Sequence, residues 1–217
     1  MKNVVKSTFM LCTLLFAVSC SGGKAEKDKA ENSQNLDGLK KAYFASGCFW
    51  CVEAIFESVA GVEEAVSGYA GGKEVNPTYR QVSSGSTGHT ETVEVYYNPE
   101  IVSYETLLKV YYGSHNPTTV NGQHPDYGAQ YRSAIFYQSE EEKLLAEKYM
   151  KNLDKSGQYD SPIATEIAPL TKFWKAEEYH QDYEKNNPYQ PYVMNVSVPR
   201  LKKFQQKYPE LLKKNTH

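Results

Sequence analysis

The sequence predicts a two-layer α/β or α+β sandwich, folded as one domain. Strand-like apolar runs alternate with segments whose apolar residues recur at helical spacing. Setting aside an N-terminal leader leaves about 175 residues, enough for one domain with a proper core. No internal repeat divides that length.

The leader has a distinct composition. Lys2 and Lys6 form a basic start, Phe9 to Val18 a short apolar core, and small residues precede Cys20. That core is too short for a comfortable membrane span. The pattern resembles a bacterial lipoprotein signal, which implies a signal peptide over 1–19, cleavage before Cys20 and a lipid on Cys20. Ordinary secretion with cleavage nearby is the alternative. Residues 20–40, rich in Lys, Glu, Asn and Ser, read as a flexible polar tether. The protein is therefore expected to be exported and anchored through lipid to a bacterial membrane, facing the periplasm or the cell surface. A folded domain over 41–209 and a polar tail over 210–217 complete the chain.

Within the domain, Ala42 to Ala45 reads as a buried strand, followed by a helix carrying Val52, Ile55, Phe56 and Val59. A strand from Val62 to Tyr69 runs into Gly71-Gly72. Asn76-Pro77 then leads to a helical turn at Tyr79 to Val82 and a glycine-rich loop over 83–88. A strand from His89 to Tyr97 stops at Asn98-Pro99. Ser103 caps a helix with Leu107, Leu108 and Val110, and a long loop over 115–130 precedes a strand from Arg132 to Tyr137. Ser139 and Glu142 form a capping box for a helix ending near Gly157. A strand over 163–167, a helix over 175–184 and a basic amphipathic segment over 199–207 follow.

Formal net charge is −2, with basic and acidic residues interleaved, which argues against a nucleic-acid face. The 18 tyrosines are spread throughout and read mostly as packing residues with a wet hydroxyl.

Of the 4 cysteines, Cys12 and Cys20 belong to the leader, so the domain keeps Cys48 and Cys51. Cys48 lies where a strand turns into a helix. Free backbone N–H groups and the positive dipole end favour an anion there, so its thiolate should be stabilised. Cys51, three positions on, is close to the same helical face. The arrangement is a reactive thiol with a second thiol placed to trap it.

Alternation along 89–97 groups Glu91 with Val93, Val95 and Tyr97. If that face is the core face, Glu91 points inward, resists ionising and becomes a candidate general acid. A strand-end glutamate whose head reaches solvent fits the alternation equally well. His89, His115 and His180 are expected to make structural hydrogen bonds. A zinc knuckle would need a second cysteine pair, and a haem attachment would need histidine where Val52 stands. A Cys-x-x-Cys at a strand-to-helix turn also suits a general thiol-disulfide oxidoreductase. An inward Glu91 argues against that, because disulfide exchange has no oxygen to protonate.

Longer motifs carry a resemblance. Gly47-Cys48-Phe49-Trp50, Gly68-Tyr69 with Gly71-Gly72, Asn76-Pro77-Thr78-Tyr79-Arg80 and Gly88-His89-Thr90-Glu91 resemble the class A methionine sulfoxide reductases. So do His115-Asn116-Pro117, Asp126-Tyr127-Gly128, Gln130-Tyr131-Arg132-Ser133 and the stretch from His180-Gln181 to Asn187-Pro188-Tyr189. The similarity runs from Lys41 to about Phe204. It implies a sandwich around a mixed β-sheet with a ferredoxin-like core, and reduction of the S epimer of methionine sulfoxide, free or in proteins, without a cofactor. It further implies Cys48 as nucleophile, Glu91 as acid, Tyr79 and Tyr131 as donors to the sulfoxide oxygen, and Asp126 in the same polar network. Phe49 and Trp50 would form the apolar wall for the substrate methyl. Many family members have glycine at the position of Cys51 and a resolving cysteine in the C-terminal tail. Here Tyr189 to Met194 has no cysteine, so Cys51 is the expected resolving thiol and a thioredoxin-like protein the expected reductant. An external thiol attacking Cys48 directly is the competing reading. A monomer is expected.

Overall fold

The structure is a computed structural model that describes residues 38–214. The leader, with Cys12, Cys20 and nearly all of the expected tether, lies outside the described residues.

The sheet begins with β1 (Lys40–Ser46), and α1 (Phe49–Glu57) follows it. Strand β2 (Val62–Ala70), the short helix α2 (Tyr79–Ser83), β3 (Thr90–Tyr97) and α3 (Tyr104–Gly113) come next. The long loop holds a small ladder of β4 (Gly122–Gln123) and β5 (Asp126–Tyr127). After a 3-10 turn over Ala129–Tyr131 come β6 (Ser133–Tyr137), α4 (Glu140–Lys155), β7 (Glu166–Pro169) and β8 (Trp174–Lys175). Helix α5 (Tyr183–Asn186) and α6 (Val198–Lys207) close the fold, with a π-helical stretch over Val193–Ser197 leading into α6.

The main sheet has the order β7-β6-β1-β3-β2-β8, with β6–β7 parallel and the other pairs antiparallel. The mixed sheet expected from the resemblance is present. Its centre, β6-β1-β3-β2, is the split βαβ arrangement of a ferredoxin-like core, because β3 inserts between β1 and β2. Alternation along β1 sends Phe44 into the larger core beneath α1 and α3, where it stacks on Phe56 and Tyr111 at 4.9 and 5.3 Å between ring centroids. Tyr43 and Ala45 face the other side and are covered by Leu170 and Phe173.

Three elements differ from expectation. The strand expected over 163–167 is displaced to Glu166–Pro169, where its backbone pairs with β6. The helix expected over 175–184 does not form. Trp174 and Lys175 instead pair with β2, a 3-10 turn covers Glu178–His180, and Asp182 takes a left-handed conformation at φ 51° before α5. The side chain of Glu177 accepts from Tyr69 Oη and from the Tyr79 amide, at 2.8 and 2.9 Å, and these tertiary bonds outweigh helix propensity. The basic segment over 199–207 is a helix packed through buried Phe204. The expected polar tail is docked as far as Lys213, whose amide donates to Ser58 O at 2.9 Å, while Leu212 bridges Val59. No described helix is long and apolar enough to cross a membrane.

Candidate active site

The site is assembled where β1 ends. Antiparallel pairing sets Phe44 opposite Val93, so two residues further on the register brings Glu91 to the end of β1. There the chain turns at Gly47, whose φ is +86°. A side chain at Gly47 would also meet Gln123, with Cβ atoms 2.8 Å apart, so the turn is reserved for glycine. Cys48 occupies the N-cap position of α1.

Glu91 is 2% exposed, and its Oε2 accepts from the Phe49 amide at 3.0 Å. Burial raises its carboxyl to about 8, against the opposing pull of that hydrogen bond. The acid is therefore neutral at pH 7, and Oε1 is left to carry the proton. Of the two orientations open to the strand, the inward one is realised.

The expectation of a stabilised Cys48 thiolate needs correction. The first amide of α1, which would have favoured an anion on sulfur, is taken by Glu91. Burial of Cys48, then the neighbouring Cys51 thiol, and then the carboxyl groups of Glu91 and Asp126, push the Cys48 thiol well up. Cys51 is instead drawn down to about 7, first by its hydrogen bond with Cys48 and then by Arg200, Ser197 and Tyr192, against burial. When the pair ionises, negative charge is thus favoured on Cys51, while Cys48 keeps its proton. Both cysteines are free thiols here.

Tyr79 is the first residue of α2, whose N-terminus Thr78 and Gln81 close as a capping box. Its ring stacks on Phe49. Tyr131 ends the 3-10 turn that Thr90 holds by donating to Gln130 O at 2.8 Å. Both phenols are raised, chiefly by burial and then by the charges of Glu91, Cys48 and Asp126, so both remain O–H donors beside the cysteine. Asp126 lies on β5, where it accepts from Tyr192 Oη. Trp50 stacks flat on Tyr183 at 3.8 Å and donates through Nε1 to His180 Nδ1 at 3.1 Å. Phe49 is 1% exposed, so it forms the floor of an aromatic wall whose accessible parts are Trp50 and Tyr79. His89 and His115 also make the expected structural hydrogen bonds.

Four residues gain a place in the site only through the structure. Tyr192 bonds Asp126, and its Oη lies 4.0 Å from Cys51 Sγ. Arg200 reaches the end of β1 by donating to Ser46 Oγ at 3.1 Å. Glu177 holds Tyr79, and Tyr183 backs Trp50. The tyrosine content gave no signal for Tyr192, although its loop was noted for having no cysteine.

These features coincide with a known group of proteins. The sequence model of the peptide methionine sulfoxide reductase family matches residues 40–212. The chain belongs to that family. This reductase is 47% identical over 182 residues to peptide methionine sulfoxide reductase MsrA 2 of Synechocystis sp., covering 83% of this chain and 85% of that protein. It is 46% identical to the MsrA of Natronomonas pharaonis, covering 78% of this chain and 95% of that protein. Among solved structures, reduced Mxr1 of Saccharomyces cerevisiae superimposes with a TM-score of 0.66 at 33% identity, over 70% of this chain and 87% of that one. Methionine sulfoxide reductase A of Corynebacterium diphtheriae gives 0.63 at 36% identity, over 71% and 79%. The reductase is an oxidoreductase whose thiols serve methionine sulfoxide reduction.

Proposed function

We propose that this enzyme reduces the S epimer of methionine sulfoxide, free or in proteins, through a sulfenic acid on Cys48. The observation that carries the reading is Glu91, buried and bonded at 3.0 Å to the first amide of the helix that carries Cys48 and Cys51, where burial raises its carboxyl. As Cys48 attacks the sulfoxide sulfur, its proton passes to Cys51. Glu91 protonates the departing oxygen, and Tyr79 and Tyr131 stabilise that oxygen as its charge grows. The S–O bond to substrate breaks and the protonated oxygen leaves as hydroxide, with Cys48 now bonded to the methionine sulfur. That hydroxide attacks the Cys48 sulfur, the S–S bond breaks, methionine leaves, and Cys48 is left as a sulfenic acid. Cys51 then attacks the Cys48 sulfur and water departs, forming a Cys48–Cys51 disulfide. A thioredoxin-like protein returns both thiols by exchange, giving up two hydrogens to become a disulfide itself. The wall of Phe49, Trp50 and Tyr79 receives the substrate methyl. The polar donors select the oxygen that methionine lacks.

The test is methionine formation from the separated sulfoxide epimers with dithiothreitol as reductant. Turnover of the S epimer alone is expected. Turnover of neither, with disulfide exchange intact, would hand the chain to general thiol-disulfide oxidoreduction.

The enzyme acts outside the cytoplasm, held by a lipid on Cys20, a reading supported by the basic start, short apolar core and small residues before that cysteine. Growth with a radiolabelled fatty acid should label the full-length protein in the membrane fraction. Unlabelled, soluble protein would remove the anchor.

A further inference from the structure

Helix α6 carries Arg200, Lys203 and Lys207 at spacings of three and four residues, which places them on one face. Together with His124 they line a cavity of about 510 Å³, bounded toward the cysteines by Asp126 and Tyr192. None of Phe49, Trp50, Tyr79, Glu91 or Tyr131 is among the described residues lining it. It is therefore a different compartment from the aromatic wall, joined to the reaction centre through Tyr192 and Asp126.

The cavity is predominantly cationic, with a single carboxylate among its described lining residues. Arg200 is anchored by donating from Nε to Ser114 O at 2.9 Å and from Nη2 to Ser46 Oγ. Lys203 and Lys207 are exposed, and neither makes an ion pair among the described residues. Asp126 is the one carboxylate among the described lining residues, and Tyr192 engages it. Composition does not explain such a patch, since the whole chain has a formal net charge of −2.

The position of Tyr192 indicates what the cavity is for. Its hydroxyl, 4.0 Å from Cys51 Sγ, stands between the cavity and the sulfur that the aromatic wall does not serve. A reductant must reach the cysteine pair after the substrate has been released, and this is the charged approach on the Cys51 side. We propose that the α6 cavity docks a protein thiol donor that presents carboxylates beside its reactive cysteine. This rests on the Cys48–Cys51 disulfide proposed above. Exposed lysines at the mouth of a concave site act mainly on encounter with an oppositely charged surface, and their effect is screened by salt.

The test is the double substitution Lys203→Glu with Lys207→Glu in the full enzyme, assayed with a thioredoxin-like protein of acidic surface and, separately, with dithiothreitol. The KM for the protein donor should rise about tenfold at low salt with little change in kcat, and its dependence on salt should flatten. Lys203→Gln with Lys207→Gln should give a smaller rise in the same direction. Turnover with uncharged dithiothreitol, and the KM for sulfoxide measured with it, should stay at wild-type values, which also reports that both variants fold. An unchanged KM for the protein donor would overturn the docking site. So would a raised KM for a sulfoxide peptide in the dithiothreitol assay, because the cavity would then belong to the substrate. Failure of the underlying disulfide reading would show in the wild type instead, as turnover with dithiothreitol but no Cys48–Cys51 disulfide in trapped enzyme.

Discussion

Glu91→Gln is expected to slow single-turnover formation of methionine by about 10²- to 10⁴-fold at neutral pH, the range that a positioned general acid supplies. The amide keeps the size of the carboxyl and can still accept from the Phe49 amide, so geometry is preserved while the transferable proton is lost. The pH profile distinguishes this from a packing defect. Because burial raises Glu91 to about 8, wild-type rates should fall as pH rises through that value, and this alkaline limb should vanish in the variant. The acid limb should lie near 7, where Cys51 ionises and becomes able to take the Cys48 proton, and should remain. Stability in the variant should not fall with its activity. The folded pKa lies above the unfolded one, so the stabilising effect of this proton is complete below the unfolded value and lost as pH rises toward 8. Replacing the acid with a neutral amide removes that loss, and the melting temperature at pH 7–8 should be no lower than wild type. Full activity in Glu91→Gln would remove it as the acid.

Cys51→Ser should separate the first turnover from those that follow. Cys48 and Glu91 remain, so one equivalent of methionine should form per enzyme, leaving Cys48 as a trappable sulfenic acid. Turnover driven by a thioredoxin-like protein should then drop by about 10²-fold or more, because resolution loses the effective concentration of a neighbouring thiol. Dithiothreitol, small enough to reach Cys48 directly, should still support turnover. The acid limb should shift upward, since Cys48 loses the partner that takes its proton while burial still holds its thiol high. Donor-driven turnover at the wild-type rate would show instead that an external thiol attacks Cys48.

Both predictions draw on features of different legibility. The strand-to-helix turn at Gly47-Cys48 could be read from an apolar run followed by helical spacing, and α1 lies where that spacing put it. Period-two alternation grouped Glu91 with Val93 and Val95 but left its head free to point either way. The pairing of β1 with β3, buried at the end of the two strands where Glu91 lies, decided for the interior. The helix expected over 175–184 failed because Glu177 is held by Tyr69 and Tyr79, about 100 positions earlier in the chain, against a purely local preference.

The sequence by itself determined the reactive pair, the order of the main strands and helices, and the residue types around the sulfoxide. The first two follow from spacing and local backbone chemistry, and the third from the resemblance of the longer motifs. Only the tertiary structure decided which sulfur is favoured to hold the charge. That depends on the Phe49 amide being taken by Glu91, 42 positions away, and on Arg200 and Tyr192 arriving beside Cys51. Tyr192 lies 66 positions from the Asp126 it grips and 141 from the Cys51 it approaches. No local period encodes such contacts. They come from packing α6 and its leading loop against the end of β1, where burial, more than residue identity, sets which group keeps its proton.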